Sequence, residues 1–268
     1  MLGAIIGDIV GSRFEFNNHL NTDFELFTEE CGFTDDTICT IAVADALLKN
    51  IPFADSLHAW CRKYPNPLGG YGGRFARWVQ SDNPQPYNSF GNGSAMRVSP
   101  CGWFADSPQE AQEKARQSAE CTHNHPEGIR GAQCVADCIY HARMGNSKEV
   151  IGDLVKTTYG YFLDTTCEAI RKTNTFNETC QITVPQAIVC FLESTDFESA
   201  IRLAVSIGGD SDTIAAITGS IAEAYYYEGI SDEIVKTVRT YLPDEMIDVI
   251  NDFNYYFCGK VTFKYFGV

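Results

Sequence analysis

Apolar residues recur along this chain at steps of three and four, the spacing of one face of a helix. Leu2, Ile5, Ile6 and Ile9 form such a face near the start, with Gly3, Gly7 and Gly11 on a neighbouring stripe. Glycines four apart have no Cβ and let a second helix approach closely. Ile38, Ile41, Ala44 and Leu48 predict another helix, as do Ile214, Ile217, Ile221 and Ala224. Ile129, Ala132, Val135, Ala136, Ile139 and Ala142 predict one across residues 126–144. Start signals agree with the period. Ser107-Pro108-Gln109-Glu110 reads as an N-cap, a first-turn proline and a capping-box glutamate, and Ser147 and Asp196 precede apolar runs as caps. Pro52, Pro185 and Pro243 are expected to open further helices. Residues 17–33 and 64–92, where Gly, Pro and Asn cluster, read as long loops. Only 260–266, with Val261, Phe263 and Tyr265 in alternation, suggests a strand or an ordered tail. The expectation is one compact all-α domain over residues 1–268.

Composition narrows the function more than the fold. Twenty basic against 35 acidic side chains give a formal charge of −15, which opposes any extended nucleic-acid or anionic-membrane surface. A small anionic ligand in a locally compensated pocket remains open. No charge-free run approaches the ~20 residues of a membrane span, and the first residues lack the basic start of a secretory signal. Eleven cysteines without a CxxC pair read as reduced thiols filling core positions, in a cytoplasmic protein expected to be monomeric.

The chemistry concentrates at two helix starts. Thr34, Asp35, Asp36 and Thr37 precede one apolar face, and Asp210, Ser211, Asp212 and Thr213 precede another. Aligned, Asp36-Thr37-Ile38 matches Asp212-Thr213-Ile214, and Thr34 matches Asp210. Asp and Thr are favoured N-caps, so either turn alone reads as capping. A single capping acid would suffice, however, and further carboxylates in the same turn repel one another. Carboxylate and hydroxyl oxygens suit a hard cation, Mg²⁺ or Mn²⁺, and two such turns meeting in space could hold two ions. Glu15, just beyond the first helix, is a further candidate acid.

Two other stretches carry candidate ligand contacts. The turn 89–100, SFGNGSAMRVSP, can present backbone N–H groups to an anion, yet it is neither a P-loop nor a dinucleotide fingerprint. His123 and His125 precede the 126–144 helix. With Cys121 they hint at zinc, but the spacing is cramped and no fourth ligand is evident.

In order, GDIVGSRFE (7–15), TDDT (34–37), GYGGRF (70–75), GNGSAMR (91–97), THNH (122–125) and GGDSDT (208–213) resemble the ADP-ribosylglycohydrolase family, the enzymes related to the dinitrogenase-reductase-activating glycohydrolase. The resemblance runs from about residue 3 to 227 and implies an orthogonal all-α fold with two Mg²⁺ (or Mn²⁺) ions below an ADP-ribose cleft. It implies Thr34, Asp35, Asp36, Asp210, Asp212 and Thr213 as metal ligands, and Glu15, Asp210 and Asp212 as the acids acting on the scissile bond. Gly91, Asn92, Gly93, Ser94 and Met96 would lie along the ligand, with His123 or His125 beside it. The expected activity is hydrolysis of the glycosidic bond between ADP-ribose and an acceptor, with an ADP-ribosylated protein as partner. Hydrolysis of a small ester such as O-acetyl-ADP-ribose and non-catalytic ADP-ribose binding are the alternatives. An isoprenoid synthase would need DDxxD, but Cys39 and Thr40 stand where the third aspartate belongs. An HD phosphohydrolase needs adjacent His-Asp, and no histidine here precedes an aspartate.

Overall fold

The computed structural model describes residues 1–227 and 229–258, all-α with no strand among them. The segment 260–266, expected as a strand or ordered tail, lies outside the described residues. Helices follow in the order α1 (Leu2–Gly11), α2 (Asp35–Lys49), α3 (Phe53–Lys63), α4 (Gly73–Gln80), the single turn α5 (Gly93–Met96), α6 (Ser99–Phe104), α7 (Pro108–Glu120) and α8 (Pro126–Arg143). Next come α9 (Lys148–Leu154), α10 (Cys167–Thr173), α11 (Cys180–Glu193), α12 (Phe197–Ser206), α13 (Ser211–Tyr225), α14 (Asp232–Arg239) and α15 (Asp244–Cys258). No helix among the described residues is long and apolar enough to cross a membrane.

The centre is the antiparallel contact of α1 with α13, predicted only in part by the periodicity. All ten residues of α1 and thirteen of the fifteen in α13 are buried. A Cβ on Gly3 would sit 2.2 Å from the Gly219 carbonyl oxygen, and one on Gly7 would sit 2.0 Å from that of Ala215. The glycine stripe of α1 is therefore the seam against α13. Glu223 of α13 closes the seam by accepting hydrogen bonds from the N–H groups of Leu2 and Gly3, donors that a helix start leaves unpaired. Around this pair α13 also packs on α8, α11 and α12, while α2 lies against α1, α3, α6 and α15.

Most start signals operate as read. Ser107 accepts from the N–H of Glu110, Ser147 from that of Val150, and Asp196 forms a reciprocal capping box with Ser199. Glu110 reaches back one residue further than expected, accepting from the N–H of Asp106. Two expectations need correction. Pro185 does not open a helix but lies inside α11, which begins at Cys180 after Thr179. Early in a helix, proline forfeits only one ladder bond, and α11 continues because its apolar residues, Val184, Ala187, Ile188 and Phe191, are buried. The 64–92 loop contains α4, whose Phe75, Trp78 and Val79 are buried at helical spacing among polar neighbours. Ten of the eleven cysteines, those from Cys31 to Cys190, are free thiols, and of these all but Cys121 are buried, as expected of core residues.

Candidate active site

Both acidic helix starts open into one cleft of about 420 Å³. Asp35, Asp36, Asp210, Asp212 and Thr213 line it together with Glu15. The sequence folds this way because of the α1–α13 seam. Gly11 lets α1 end against Asp212, where a Cβ would lie 2.6 Å from the Asp212 Cα, and the following 3-10 turn, Ser12–Phe14, delivers Glu15 beside it. Carboxylate oxygens of Glu15, Asp210 and Asp212 fall within 4.8 Å of one another.

Asp8 organises the first turn from below, and its role was missed in the sequence. The Asp8 carboxylate, fully buried on α1, accepts hydrogen bonds from the N–H groups of Thr34 and Thr37, both at 3.0 Å, and from both threonine hydroxyls. Its signal was a lone acid inside an apolar helix, which reads as an interruption until a partner is known. Four donors on one carboxylate hold the Thr34–Thr37 turn rigidly against α1. Burial nevertheless pushes the Asp8 carboxyl up to about 6, the hydrogen bonds opposing.

Capping accounts for only part of the acidic residues. Thr34 is the N-cap of α2, its hydroxyl accepting from the Asp36 N–H at 3.2 Å. That hydroxyl also donates to Asp8, leaving one lone pair for another partner. Asp210 occupies the N-cap position of α13 but makes no capping bond. Instead the Asn92 side-chain amide donates to its Oδ2 at 2.6 Å. Asp36 Oδ2 is buried with no hydrogen-bond partner, while its Oδ1 receives only a long bond, 3.4 Å, from the Thr213 hydroxyl. An unpartnered buried carboxylate oxygen is costly unless a cation completes it. The second turn is shaped by Gly208 and Gly209, which take φ of +69° and +83°, and Asn18 pairs with both the N–H and carbonyl of Gly209.

The electrostatics point the same way. Burial, then the charges of Asp210, Asp8 and Glu178, push Glu15 up to about 7. Asp35 and Asp36 are raised well above the carboxylate range by burial and then by Asp8. Asp212 is raised by burial, then by Asp210, Asp36 and Glu15, and Asp210 is raised by burial. The basic side chains of the cleft are committed elsewhere. Arg97, buried, donates to the Ser118 carbonyl and the Thr122 hydroxyl, and Arg74 donates to the Tyr87 carbonyl. An oxygen-only donor set with surplus negative charge and an orphaned buried oxygen fits a hard divalent cation.

The glycine turn forms the opposite wall. Gly91, Asn92, Gly93 and Met96 line the cleft, whereas the Ser94 hydroxyl turns away to the Gly128 carbonyl at 2.7 Å. A Cβ on Gly93 would meet His123 Nε2 at 3.2 Å, so glycine keeps the turn close to that ring. His123 lines the cleft, its Nδ1 hydrogen-bonded to the Thr122 hydroxyl at 2.7 Å, and burial followed by Arg97 and Arg74 keeps it neutral. His125 points elsewhere: it caps α8 through the Glu127 N–H and packs on Phe90. With Cys121 bonded to the Ser118 carbonyl, these three groups serve separate local partners rather than a common zinc. The cleft also takes in Phe16, Tyr71, Arg74, Tyr87, Phe176 and Glu178. Arg74 and Tyr71 belong to the GYGGRF motif; the others carried no signal of their own.

Fold and site together define an all-α protein with a carboxylate-lined cleft suited to a divalent cation. The ADP-ribosylglycohydrolase family profile matches residues 1–258, and the chain belongs to that family. It is 27% identical to ADP-ribosylhydrolase ARH3 of Homo sapiens, covering 84% of both chains. It is 28% identical to ADP-ribosylarginine hydrolase Tri1 of Pseudomonas putida (strain GB-1), over 89% of this chain and 72% of the relative. A solved structure, titled "ADP-ribosylglycohydrolase-related protein complex", shares the fold with a TM-score of 0.73 at 23% identity, covering 94% of each chain.

Proposed function

We propose that this protein hydrolyses the glycosidic bond joining ADP-ribose to an acceptor, with two Mg²⁺ or Mn²⁺ ions as cofactors. The observation that carries the reading is the convergence of Glu15, Asp35, Asp36, Asp210 and Asp212 on one cleft, with Asp36 Oδ2 buried and unpartnered. Family membership and the hydrolase names of both relatives support it. Thr34, Asp35, Asp36, Asp210, Asp212 and Thr213 are the residues that would hold the cations. Bound there, cations would neutralise carboxylate repulsion and would supply Lewis-acid polarisation.

The chain's own groups perform the remaining tasks. Bond cleavage at the anomeric carbon passes through an oxocarbenium-like state, which nearby carboxylates stabilise. Asp210 or Asp212 accepts the proton of the attacking water, while Glu15, at the cleft edge, orients the water or the departing group. Asn92 holds Asp210 through the hydrogen bond donated by its side-chain amide, so the acid keeps one orientation. Gly91 and Gly93 let the ligand approach the backbone, and the neutral His123 ring backs the turn.

The test compares Asp36→Asn, Asp212→Asn and the double variant on an ADP-ribosylated peptide in saturating magnesium. Asn caps about as well as Asp, so simple caps predict mild, additive effects. A shared cation centre predicts that each single variant loses about 10²-fold or more in kcat, with the double variant little worse, because residues acting as a unit are strongly non-additive. Near wild-type hydrolysis by either Asn variant would sink the reading.

A further inference from the structure

The cleft holds one acid beyond the proposed cation-binding and catalytic set. Glu178 stands on its wall, on the segment between α10 and α11. Its backbone is pinned to the glycine turn: the Glu178 carbonyl accepts from the Asn92 N–H at 2.7 Å, and the Phe90 carbonyl accepts from the Cys180 N–H at 3.0 Å. Glu15 lines the same cleft. Arg74 and Arg97, the basic groups of the cleft wall, are bonded to other partners, and neither pairs with Glu15 or Glu178 among the described residues.

Two aromatic residues line the same cleft as the two glutamates. Phe16 follows Glu15, and Phe176 precedes Glu178 by two residues. The rings pack with centroids 5.8 Å apart at 32°, yet remain 72% and 44% exposed, and both line the cleft. Exposed aromatic faces at a cleft offer apolar surface on which a planar ligand can lie. Acids and aromatic rings that line one cleft favour a planar cation, whose N–H groups can pair with a carboxylate and whose face can lie on a ring. A neutral hydroxyl or ester acceptor gains little from either feature. Two divalent cations would balance four of the five proposed site carboxylates, so that with Glu178 added the cleft stays net negative.

Resting on the hydrolase reading above, we propose that Glu178 and the Phe16–Phe176 pair form the acceptor subsite and select a guanidine N-glycoside over neutral O-linked conjugates. In that reaction the anomeric C–N bond breaks and a C–O bond to water forms. The proton released by water ends on the departing guanidine, which leaves as guanidinium, so no further reactant is required.

The experiment measures kcat/KM on matched peptides carrying ADP-ribose on arginine or on serine, in saturating magnesium. The wild type is expected to prefer the arginine peptide. Glu178→Gln should lower the arginine-to-serine ratio about tenfold, the scale of one hydrogen bond to a charged group. The loss should appear in KM for the arginine peptide, since the contact is made before bond cleavage. Glu178→Asp should retain part of the preference, and Phe176→Leu should lower the ratio about threefold. An unchanged ratio in a Glu178→Gln variant that melts like wild type overturns the proposal. So does a wild-type preference for serine, which would leave the hydrolase reading standing. A chain that cleaves neither peptide overturns both.

Discussion

Raising the pH from about 4 to about 8 in a chelator should destabilise this protein. The sign follows from the direction of the shifts. Asp8 rises from 3.8 to about 6 and Glu15 from 4.5 to about 7, so the folded chain holds protons that the unfolded chain has released. Their stabilising contribution is complete below the unfolded values and is lost as pH climbs through the folded ones. For the fully buried Asp8, a rise of about 2 units corresponds to about 3 kcal/mol, lost between roughly pH 4 and pH 7. Glu15 acts in the same direction but is half-exposed, so screening reduces its share. Asp35, Asp36 and Asp212 carry the effect to higher pH. In a chain of this size, 3 kcal/mol moves the melting temperature by roughly 6–12 °C. Divalent cations should reverse the trend, because the carboxylates must shed their protons to bind them. At ~100 times Kd, magnesium adds about 2.7 kcal/mol, and its melting shift should be larger at pH 8 than at pH 6. Calorimetric melts across this range, with chelator and with magnesium, measure both effects. A chelated protein whose melting temperature rises between pH 6 and pH 8, or a magnesium shift that shrinks over that interval, would refute the reasoning.

Other expectations are more local. Glu15→Gln should lower kcat by about 10²-fold or more while ADP-ribose binding, measured by calorimetry, stays near wild type, as for a group acting mainly in the transition state. A fall in binding equal to the fall in turnover would make Glu15 a structural support instead. Gly7→Ala places a Cβ 2.0 Å from a backbone oxygen of α13, which cannot yield as a side chain can. It should cost about 3 kcal/mol and weaken magnesium binding, since Asp212 lies one turn from the clash. Gly73→Ala, with no atom within 4 Å of the added methyl, is the control and should melt within ~2 °C of wild type.

Much of the helical architecture was legible before any coordinates. Periodicity placed α1, α2, α8 and α13, and cap chemistry placed the starts of α7, α9 and α12, because both are written in residues adjacent along the chain. The same local logic missed α4, whose three buried apolar residues are diluted by surrounding Gly, Arg and Gln. It also misread Pro185, since a helix can absorb a proline when tertiary burial outweighs one lost bond.

The candidate site divides in the same way. Thr34, Asp35, Asp36, Asp210, Asp212 and Thr213 were visible as oxygen-rich turns in excess of what capping requires. Which oxygen caps, and which stays free, depends on groups remote in sequence. Asn92 draws Asp210 away from its cap, and Asp8 engages Thr34 from 26 residues away. His123 and His125 could not be separated by sequence, yet the start of α8 takes one as a cap and leaves the other on the cleft wall. Glu178, Phe16 and Phe176 had no pattern at all, because single exposed residues on loops acquire a role only through what the fold sets beside them. Periodicity and capping are short-range constraints and could be read from the chain. The pairing of carboxylates is a long-range one, set by a glycine seam that brings α1 and α13 into backbone contact.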